Sequence, residues 1–328
     1  MPDQSSAASR NGSALLADRS LHMTPSPRSS DPRAVALLAF VALLAAAVAM
    51  GISPVFVRVA EVGPFTSAFY RVFLALPLLW IWARIERRAA DPAADRGWTR
   101  AVVLAGVFFA LDLFFWHLAI LNTTIANATL LATMAPVWVM LFSLVIGERV
   151  TRVMVAGLAL CILGGAALVG SSLELAPERF LGDLYGIGTS LGFGLYFLAV
   201  RVARRDGSTG AVLFRSTVVT AALLAIVAAV AENAWVPAGL GGVVALILMA
   251  SVSHVGGQGL LAFALGHLSA AFSSLVIFLE ALAAAFFGWI FFAETLGTWQ
   301  IAGGVAILAG IWIARPRDGG RGDAPASP

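Results

Sequence analysis

The chain has 328 residues, of which 60% are hydrophobic and 12% are charged, and its formal net charge is +3. Soluble domains are typically about 45–50% apolar and about 25% charged. A soluble core of this length could not bury so much apolar surface, so the composition excludes an ordinary soluble domain and indicates a membrane protein. The small net charge gives no sign of a nucleic-acid partner. Because Cys161 is the single cysteine, we expect neither a disulfide framework nor a metal cluster, and no cofactor.

The two ends of the chain differ from the rest. Residues 1–33 and 316–328 are rich in small, polar and charged residues and show no apolar period. Such segments cannot bury enough surface to fold. We therefore predict a disordered tail at each end.

The residues between the tails form runs of about 20 apolar residues, the length that a helix needs to cross the bilayer hydrocarbon. Backbone polar groups must be satisfied internally in lipid, so these runs are predicted to be helices. The predicted fold is an all-α polytopic membrane protein with five helices over 34–170, a linker over 171–182, and five helices over 183–315. The ten predicted spans are 34–60, 65–84, 101–121, 124–146, 152–170, 183–203, 210–231, 240–262, 270–292 and 297–315.

The arginines predict the orientation of these spans. With the N-terminus in the cytoplasm, 17 of the 21 arginines fall in cytoplasmic segments, while Arg58 and Arg179 fall outside and Arg71 and Arg215 lie within spans. Basic residues concentrate in cytoplasmic loops. We therefore predict that both termini are cytoplasmic and that the 171–182 linker is periplasmic.

The second half of the chain repeats motifs of the first half. One Glu and two Gly recur at identical spacing 146 positions apart, as Glu148, Gly157 and Gly164 and as Glu294, Gly303 and Gly310. An odd number of helices in each copy requires the second copy to enter the membrane from the opposite side. An inverted repeat of this kind permits two mirror-related states, one open to each side, and is typical of transporters that work by alternating access.

Two segments of this repeat, TTIANATLLATMAPVWVMLFSLVIGE and LSAAFSSLVIFLEALAAAFFGWIFFAE, resemble the EamA-type drug/metabolite transporters. The resemblance covers roughly 34–315. It implies a ten-helix carrier in the bacterial inner membrane that exports small metabolites such as amino acids, with substrate and lipid as its partners and either a monomer or a homodimer as its assembly. Many relatives carry Pro after the Glu of the second copy, whereas Glu280 is followed by Ala281. The sequence therefore does not decide whether the helix bends near Glu280.

The candidate binding site lies where polar residues occur near the bilayer midplane, since ionisable groups there are costly and usually functional. Asp112 stands near the middle of the third span. The 146-residue offset places it opposite Gln258, which shares a helix face with His254, and places Met134 opposite Glu280. We predict that Asp112, His254, Gln258 and Glu280 form a polar ring around one cavity.

Aromatic residues complete the predicted site and bear on the substrate. Phe108, Trp116, Trp138 and Tyr196 are the predicted aromatic faces. With few charges among them, they suit a small amphipathic metabolite, an amino acid above all; the alternative is a hydrophobic cation or drug attracted by Asp112 and Glu280. Since an apolar cavity favours the neutral form of a carboxyl group, these two carboxylates are also candidate proton carriers. The competing interpretation is a facilitator in which both carboxylates are structural.

Structural interpretations stand beside each functional one. A buried carboxylate can simply pair with Arg71 or Arg215 and hold helices together, and His254 can bond a neighbouring helix. Arg71 and Arg215 lie one or two turns inside their spans, from where long side chains can reach the interface, so a structural role competes with binding of a substrate carboxylate. Glu148 and Glu294 close their spans and suit a loop or gate contact.

Small residues and proline mark candidate hinges. Gly51 and Pro54 interrupt the first span, and Gly192 and Gly194 loosen the sixth. The alternative is close helix packing, which small residues permit, and we prefer packing for the glycines of the repeated Glu-Gly-Gly motif.

An intramembrane enzyme is the rival class of function. An aspartyl protease needs two intramembrane aspartates, and Asp112 is the only aspartate in the interior of a predicted span, since Asp183 stands at the very end of one. No phosphate loop, zinc motif or nucleotide fingerprint occurs. The sequence therefore favours a transporter over an enzyme.

Overall fold

The computed structural model describes residues 32–89, 95–123, 125–145, 149–169, 177–293 and 297–315. All regular structure in these residues is helical, and they contain no strand, which confirms the predicted all-α class. The greater part of both predicted tails, residues 171–176 of the predicted linker, and the motif residues Glu148 and Glu294 lie outside the described residues.

The helices before the linker form the first copy. They are α1 Pro32–Gly51, α2 Ser53–Val59, α3 Pro64–Phe73, α4 Leu76–Ala89, α5 Arg100–Asn122, α6 Ile125–Ala132, α7 Ala135–Ser143 and α8 Arg152–Val169. The helices after the linker form the second copy. A 3-10 turn, Pro177–Arg179, precedes α9 Phe180–Ala203, α10 Thr209–Ala231, α11 Leu240–Leu248, a π-helix Met249–Gln258, α12 Gly259–Leu265, α13 Ala270–Leu275, α14 Phe278–Phe292 and α15 Thr298–Ala314.

Eight helical stretches within the described residues are long and apolar enough to cross a bilayer. They coincide with eight of the ten predicted spans. Two shorter apolar helices, Ala128–Ser143 and Thr298–Ala314, occupy the places of the predicted fourth and tenth spans. The described chain is therefore a polytopic membrane protein.

Several spans are interrupted near their middle. Three of the interruptions end two residues before Pro54, Pro77 and Pro136, so each proline lies in the first turn of the helix that follows. Proline is tolerated there because it cannot donate to the carbonyl four residues earlier. A fourth interruption, at Val276–Ile277, has no proline. There the backbone N–H groups of Leu279 and Glu280 donate to carbonyls only three residues earlier. A helix break thus precedes Glu280 although alanine follows it.

The π-helix lies in the middle of the span that α11 begins and α12 completes. Its i→i+5 hydrogen bonds change the facing of side chains relative to an α-helix, and such segments often mark functional sites. His254 and Gln258, two members of the predicted polar ring, both lie on it.

Helices α8 and α15 pack against each other through the glycines of the repeated motif. A Cβ added at Gly164 would lie 2.6 Å from the carbonyl oxygen of Gly303, and one at Gly157 would lie 2.7 Å from that of Gly310. The two helices are therefore antiparallel, with backbones in direct contact, as the packing interpretation requires. Between these contacts Cys161 Sγ lies 3.6 Å from the carbonyl oxygen of Ile307, the residue 146 positions further on.

A second pair of matched contacts joins the α3–α4 span to α10. Glu232, just after α10, accepts hydrogen bonds from the N–H groups of Phe65 and Thr66 in the first turn of α3, at 2.8 and 2.9 Å. Glu86, near the end of α4, accepts from Gly210 N–H in the first turn of α10 at 2.7 Å. Glu86 and Glu232 are 146 positions apart. Each span thus caps the positive end of the other.

Candidate functional site

A cavity of about 770 Å³ lies between the helices. Its polar wall residues are Ser53, Arg58, Arg71, Asp112, Thr129, Thr133, Thr189, Gln258, Glu280 and Gln300. Its apolar wall residues are Pro54, Phe109, Leu113, Trp116, Ala132, Leu168, Val169, Phe193, Ile277, Ala281, Ala284 and Ala285. Cavities that take up small ligands are usually of this size, mostly apolar with a few convergent polar groups.

The cavity extends toward one end of the bundle, which we call the far face. The far face contains the helix ends near residues 59–64, 122–125, 169–177, 231–240 and 292–298. The opposite end, the termini face, contains those near residues 32, 89–100, 143–152, 203–209, 265–270 and 314. Arg58, Val169 and Gln300 line the cavity and belong to the terminal turns of their helices at the far face. The cavity therefore reaches the far face.

Three charged residues form the centre of the site. Arg71, in the last turn of α3, interacts electrostatically with Glu280 of α14 and Asp112 of α5. Its Nη1 donates to Ser53 Oγ at 3.4 Å, and its guanidinium lies 5.9 Å from the ring centre of Phe109. Within the described residues, Arg71 Nε has no hydrogen-bond partner. A cation and two carboxylates from three different spans thus line the same cavity.

Asp112 is held by the packing of α5 against α9. Asp112 is 8% exposed, and its backbone carbonyl accepts a hydrogen bond from Thr189 Oγ1 at 3.3 Å. A Cβ added at Gly192 would lie 2.9 Å from the Asp112 backbone nitrogen. Gly192 therefore allows α9 to approach closely enough to fix the backbone that carries Asp112.

Gln258 and His254 of the π-helix take different places in the site. Gln258 is 1% exposed and lines the cavity, with its Nε2 3.3 Å from Met50 Sδ. Its Oε1 has no hydrogen-bond partner among the described residues. His254 lies behind the wall, where its ring is 5.5 Å from that of Phe109 and its Nε2 is 3.0 Å from Thr217 Oγ1. Three members of the predicted ring line the cavity and the fourth supports it.

The predicted aromatic residues are also divided. Trp116 lines the cavity, whereas Phe108, Trp138 and Tyr196 are not among its wall residues. Tyr196 is buried with its ring 4.9 Å from that of Phe109, and Trp138 Nε1 donates to Ser190 Oγ at 2.9 Å. These side chains support the wall from behind.

Arg215 lies away from the cavity. It makes a two-fold contact with the carboxylate of Asp95, with both Nη–Oδ distances at 2.7 Å, and Nη1 also donates to the Gly97 carbonyl. Hydrogen bonding from Arg215 is the main cause that holds the pKa of Asp95 below its ordinary value of 3.8. The pair ties α10 to the segment before α5 at the termini face, so of the two predicted arginines only Arg71 belongs to the cavity.

The four predicted hinge residues occupy tight positions. A Cβ added at Gly51 would lie 2.7 Å from the Glu280 carbonyl oxygen, and one at Gly194 would lie 3.0 Å from that of Ala135. Gly192 and Gly194 belong to the uninterrupted α9, whereas α1 ends at Gly51 and Pro54 lines the cavity. The three glycines are closely packed in this state, and the hinge role of all four residues stays a prediction.

Sequence reasoning did not select several wall residues. Phe109 and Phe193 form the aromatic wall beside Asp112, and threonines 129, 133 and 189 supply hydroxyl groups. Phe109, three residues before Asp112, was recognisable from helical spacing. Arg58 and Gln300 stand at the far-face mouth, where a sequence gives no signal that distinguishes a gate residue from an interfacial one.

The helical fold and its cavity of mixed charge define a polytopic membrane carrier. The chain belongs to the EamA-like transporter family, which matches it twice, over residues 37–170 and 180–315. It is therefore a multi-pass membrane transporter, as its resemblance to this family predicted.

Individual relatives agree with this membership. An uncharacterized transporter of Archaeoglobus fulgidus is 30% identical over 278 residues, which cover 83% of this chain and 94% of the relative. The pseudopaline exporter CntI of Pseudomonas aeruginosa is 29% identical over 258 residues, which cover 76% of this chain and 86% of the relative. A solved structure described as "Crystal structure of protein" has a TM-score of 0.72 at 19% identity, covering 87% of this chain and 98% of the solved one. It shows a shared fold.

Proposed function

We propose that this transporter exports small zwitterionic metabolites, with amino acids as the leading class, by alternating access across a bacterial inner membrane. The observation that carries the proposal is the placement of Arg71 in the cavity wall together with Asp112 and Glu280. A zwitterion has one group to complement each sign of charge in this wall. Its carboxylate suits the guanidinium, which can bind a carboxylate through two parallel hydrogen bonds, and its ammonium suits either protein carboxylate.

The rest of the cavity supports a small amphipathic substrate. Phe109, Trp116 and Phe193 supply apolar surface next to Asp112. The free Oε1 of Gln258, and Arg71 Nε, are buried groups without partners among the described residues. Buried polar groups normally bond to something, so a bound substrate with both donors and acceptors would satisfy them. The name of the Pseudomonas relative supports export as the direction.

The architecture that we propose for this function is ten membrane spans in two inverted five-helix repeats. The short apolar helices Ala128–Ser143 and Thr298–Ala314 would be the fourth and tenth spans. The antiparallel contacts of Gly157 with Gly310 and of Gly164 with Gly303 support a two-fold relation between the copies. The arginine distribution supports cytoplasmic termini, so the far face would be periplasmic and the cavity would be open to the periplasm.

The test is transport by the purified protein in liposomes against a panel of amino acids and cationic dyes. We expect counterflow of at least one amino acid, and competition by zwitterions rather than by their amides or esters. Uptake of dyes alone would overturn the amino-acid proposal.

A hydrophobic cation or drug is the second candidate substrate. It is favoured by the two carboxylates and by the aromatic wall, since cations bind to aromatic faces. The presence of Arg71 in the same wall opposes it, because a buried cation repels another cation. The same panel separates the two candidates.

Asp112 and Glu280 are also the proposed proton carriers, because they are the carboxylates in the cavity wall. Replacing Asp112→Asn or Glu280→Gln keeps the shape of each side chain and removes its titration. If protons drive transport, each change abolishes pH-driven accumulation while passive exchange continues, because the other carboxylate remains to bind the substrate ammonium. Equal transport by the parent protein with and without a proton gradient would instead identify a facilitator.

A further inference from the structure

Some contacts are made by both copies, one at each face, whereas others are made by one copy at one face only. We call the residue 146 positions away in the other copy a counterpart. When the copies of an inverted repeat exchange conformations, the transporter passes from one open state to the other. A contact that both copies make in one state therefore survives the exchange, whereas a contact made by one copy alone should be broken and re-formed by its counterpart. This reasoning rests on the proposed alternating-access function.

Two sets of contacts are made by both copies. The glycine contacts between α8 and α15 are one set. The carboxylate caps of Glu86 and Glu232 are the other. The two carboxylates are counterparts, and each accepts from backbone N–H groups in the first turn of the facing helix, although the donor residues themselves are not counterparts. One cap lies at each face and both are formed at once. These helices would accordingly keep their contacts in both states.

The cavity opens at the far face, and the equivalent positions at the termini face are buried. Gln300 and Thr129 line the cavity, whereas their counterparts Met154 and Leu275 are 9% and 0% exposed. The positions that are open at the far face are thus closed by packing at the termini face. Contacts that hold the termini face closed are candidates for exchange.

Arg204 makes such a contact. It follows the end of α9, and its Nε donates to the Ala262 carbonyl of α12 at 3.1 Å, while Nη1 bonds the Gly207 carbonyl. A Cβ added at Gly266 would lie 2.7 Å from Arg204 Nη2, so the guanidinium covers the end of this span. Arg201 Nη1 reinforces the closure by donating to the Leu265 carbonyl at 2.8 Å.

The counterpart of Arg204 is also an arginine, Arg58, and the counterpart of Ala262 is Trp116. Both counterparts line the open cavity near its far-face mouth. Arg58 lies with its guanidinium carbon 4.7 Å from the ring centre of Phe292 on α14. The same residue pair is therefore joined at the closed face and stands at the cavity mouth on the open face.

We propose that Arg204 and Arg58 are the two gate residues of the transport cycle. Arg204 closes the termini face in the state described here. In the opposite state Arg204 leaves the Ala262 carbonyl, and Arg58 leaves Phe292 and donates to the Trp116 carbonyl, which closes the far face. Trp116 thus contributes its side chain to the cavity in one state and its backbone to the gate in the other.

The experiment measures the accessibility of one cysteine at each face in purified full-length protein. Cys161→Ala removes the native thiol, and Gln300→Cys or Met154→Cys reports the far face or the termini face. A water-soluble thiol reagent labels whichever reporter is open, so the orientation in a membrane does not enter. We expect Arg204→Ala to shift the ratio of labelling rates about tenfold toward Met154→Cys, the effect of losing one hydrogen bond from a charged group. We expect Arg58→Ala to shift it in the opposite direction.

Neighbouring Arg205, which is exposed, provides the matched control. Arg205→Ala should leave the ratio at its parent value. The double variant Arg58→Ala/Arg204→Ala should return the ratio toward the parent, which a protein misfolded by either change would not do. Unchanged labelling in Arg204→Ala, or a shift of the same sign in both single variants, overturns the gate assignment. Labelling of Gln300→Cys alone in every variant would show that there is no second state, and would overturn alternating access itself.

Discussion

The interface of α8 with α15 and the wall of the cavity are built from the same duplicated sequence. Equivalent positions carry the same residue at the interface but different residues in the cavity wall. At the interface, glycines face glycines in both copies. In the cavity wall, Arg71 has Thr217 as its counterpart, Asp112 has Gln258, and Glu280 has Met134. Shared packing contacts tolerate few replacements, whereas a bound substrate is asymmetric and needs different groups on either side. The difference separates scaffold residues from residues that are specialised for one ligand.

The largest effect is expected where the copies differ most in charge. Arg71→Gln keeps hydrogen-bonding capacity and removes the cation, so transport efficiency should fall about 10- to 100-fold, as expected for the loss of hydrogen bonds to a charged group. The counterpart change Thr217→Val removes only the neutral hydrogen bond to His254 and should cost about fivefold. Initial rates in liposomes measure both. Equal losses would contradict the assignment of Arg71 to substrate binding.

The glycine interface should show the next largest effect, and the same effect in both copies. Gly164→Ala and Gly303→Ala each place a Cβ within 2.6 Å of a backbone oxygen, which should destabilise the protein by about 1–3 kcal/mol. Gly165→Ala is the control, since its Cβ would have its nearest contact at 3.4 Å. The midpoint of thermal unfolding in detergent measures the three. A loss for Gly165→Ala as large as for Gly164→Ala would show that the helix contacts are not those described.

The Asp95–Arg215 pair joins the first copy to the second at the termini face, and no equivalent pair is possible at the far face because Phe69 is the counterpart of Arg215. Asp95→Asn should lower stability by about 1 kcal/mol, because the pair is partly buried and bidentate. The pKa of Asp95 is lowered in the folded protein, so its contribution is complete above its unfolded pKa of about 4 and is lost as the pH falls through its folded pKa. The difference in unfolding midpoint between parent and variant should be present at pH 7 and shrink below about pH 4. A constant difference across this range would exclude the ion pair as its cause.

The smallest effects are expected at the two carboxylate caps, and they should match. Glu86→Gln and Glu232→Gln each remove one negative charge from a helix N-terminus, which is worth about 0.3–1 kcal/mol. Unfolding midpoints should fall by similar amounts in the two variants. A fall in only one of them would show that the matched hydrogen bonds are not equivalent.

Much of the site could be predicted because the offset between the copies was exact. It placed Asp112 opposite Gln258, and both line the cavity together with Glu280 and Arg71. The lengths of the hydrophobic runs predicted the helices, because a backbone that crosses lipid must satisfy its own hydrogen-bonding groups and a helix does so within one segment.

The errors of the sequence interpretation have equally physical causes. Arg71 ends the tripeptide FYR and Arg215 ends the similar tripeptide LFR, but the two arginines are 144 positions apart rather than 146. Two residues turn an α-helix by about 200°, so Arg215 faces Asp95 instead of the cavity. Phe108 and Phe109 both flank Asp112 at helical spacing, but only Phe109 lines the wall, and the predicted Phe108 is one step of about 100° away on α5. His254 lies behind Phe109 on a π-helix, and periodicity based on 3.6 residues cannot place side chains on such a segment.

The contact between α8 and α15 also bears on how such a chain could have arisen. Gly157 meets Gly310 and Gly164 meets Gly303, so each helix offers the other the same patch, as in the interface of a symmetric dimer. Two separate half-length polypeptides could make these contacts without any residue that differs between them. A substitution in such a half-length polypeptide would have been present in both subunits, and so at two places in the interface. After gene fusion each position could change once, which freed the two halves to acquire an arginine in one and a threonine in the other.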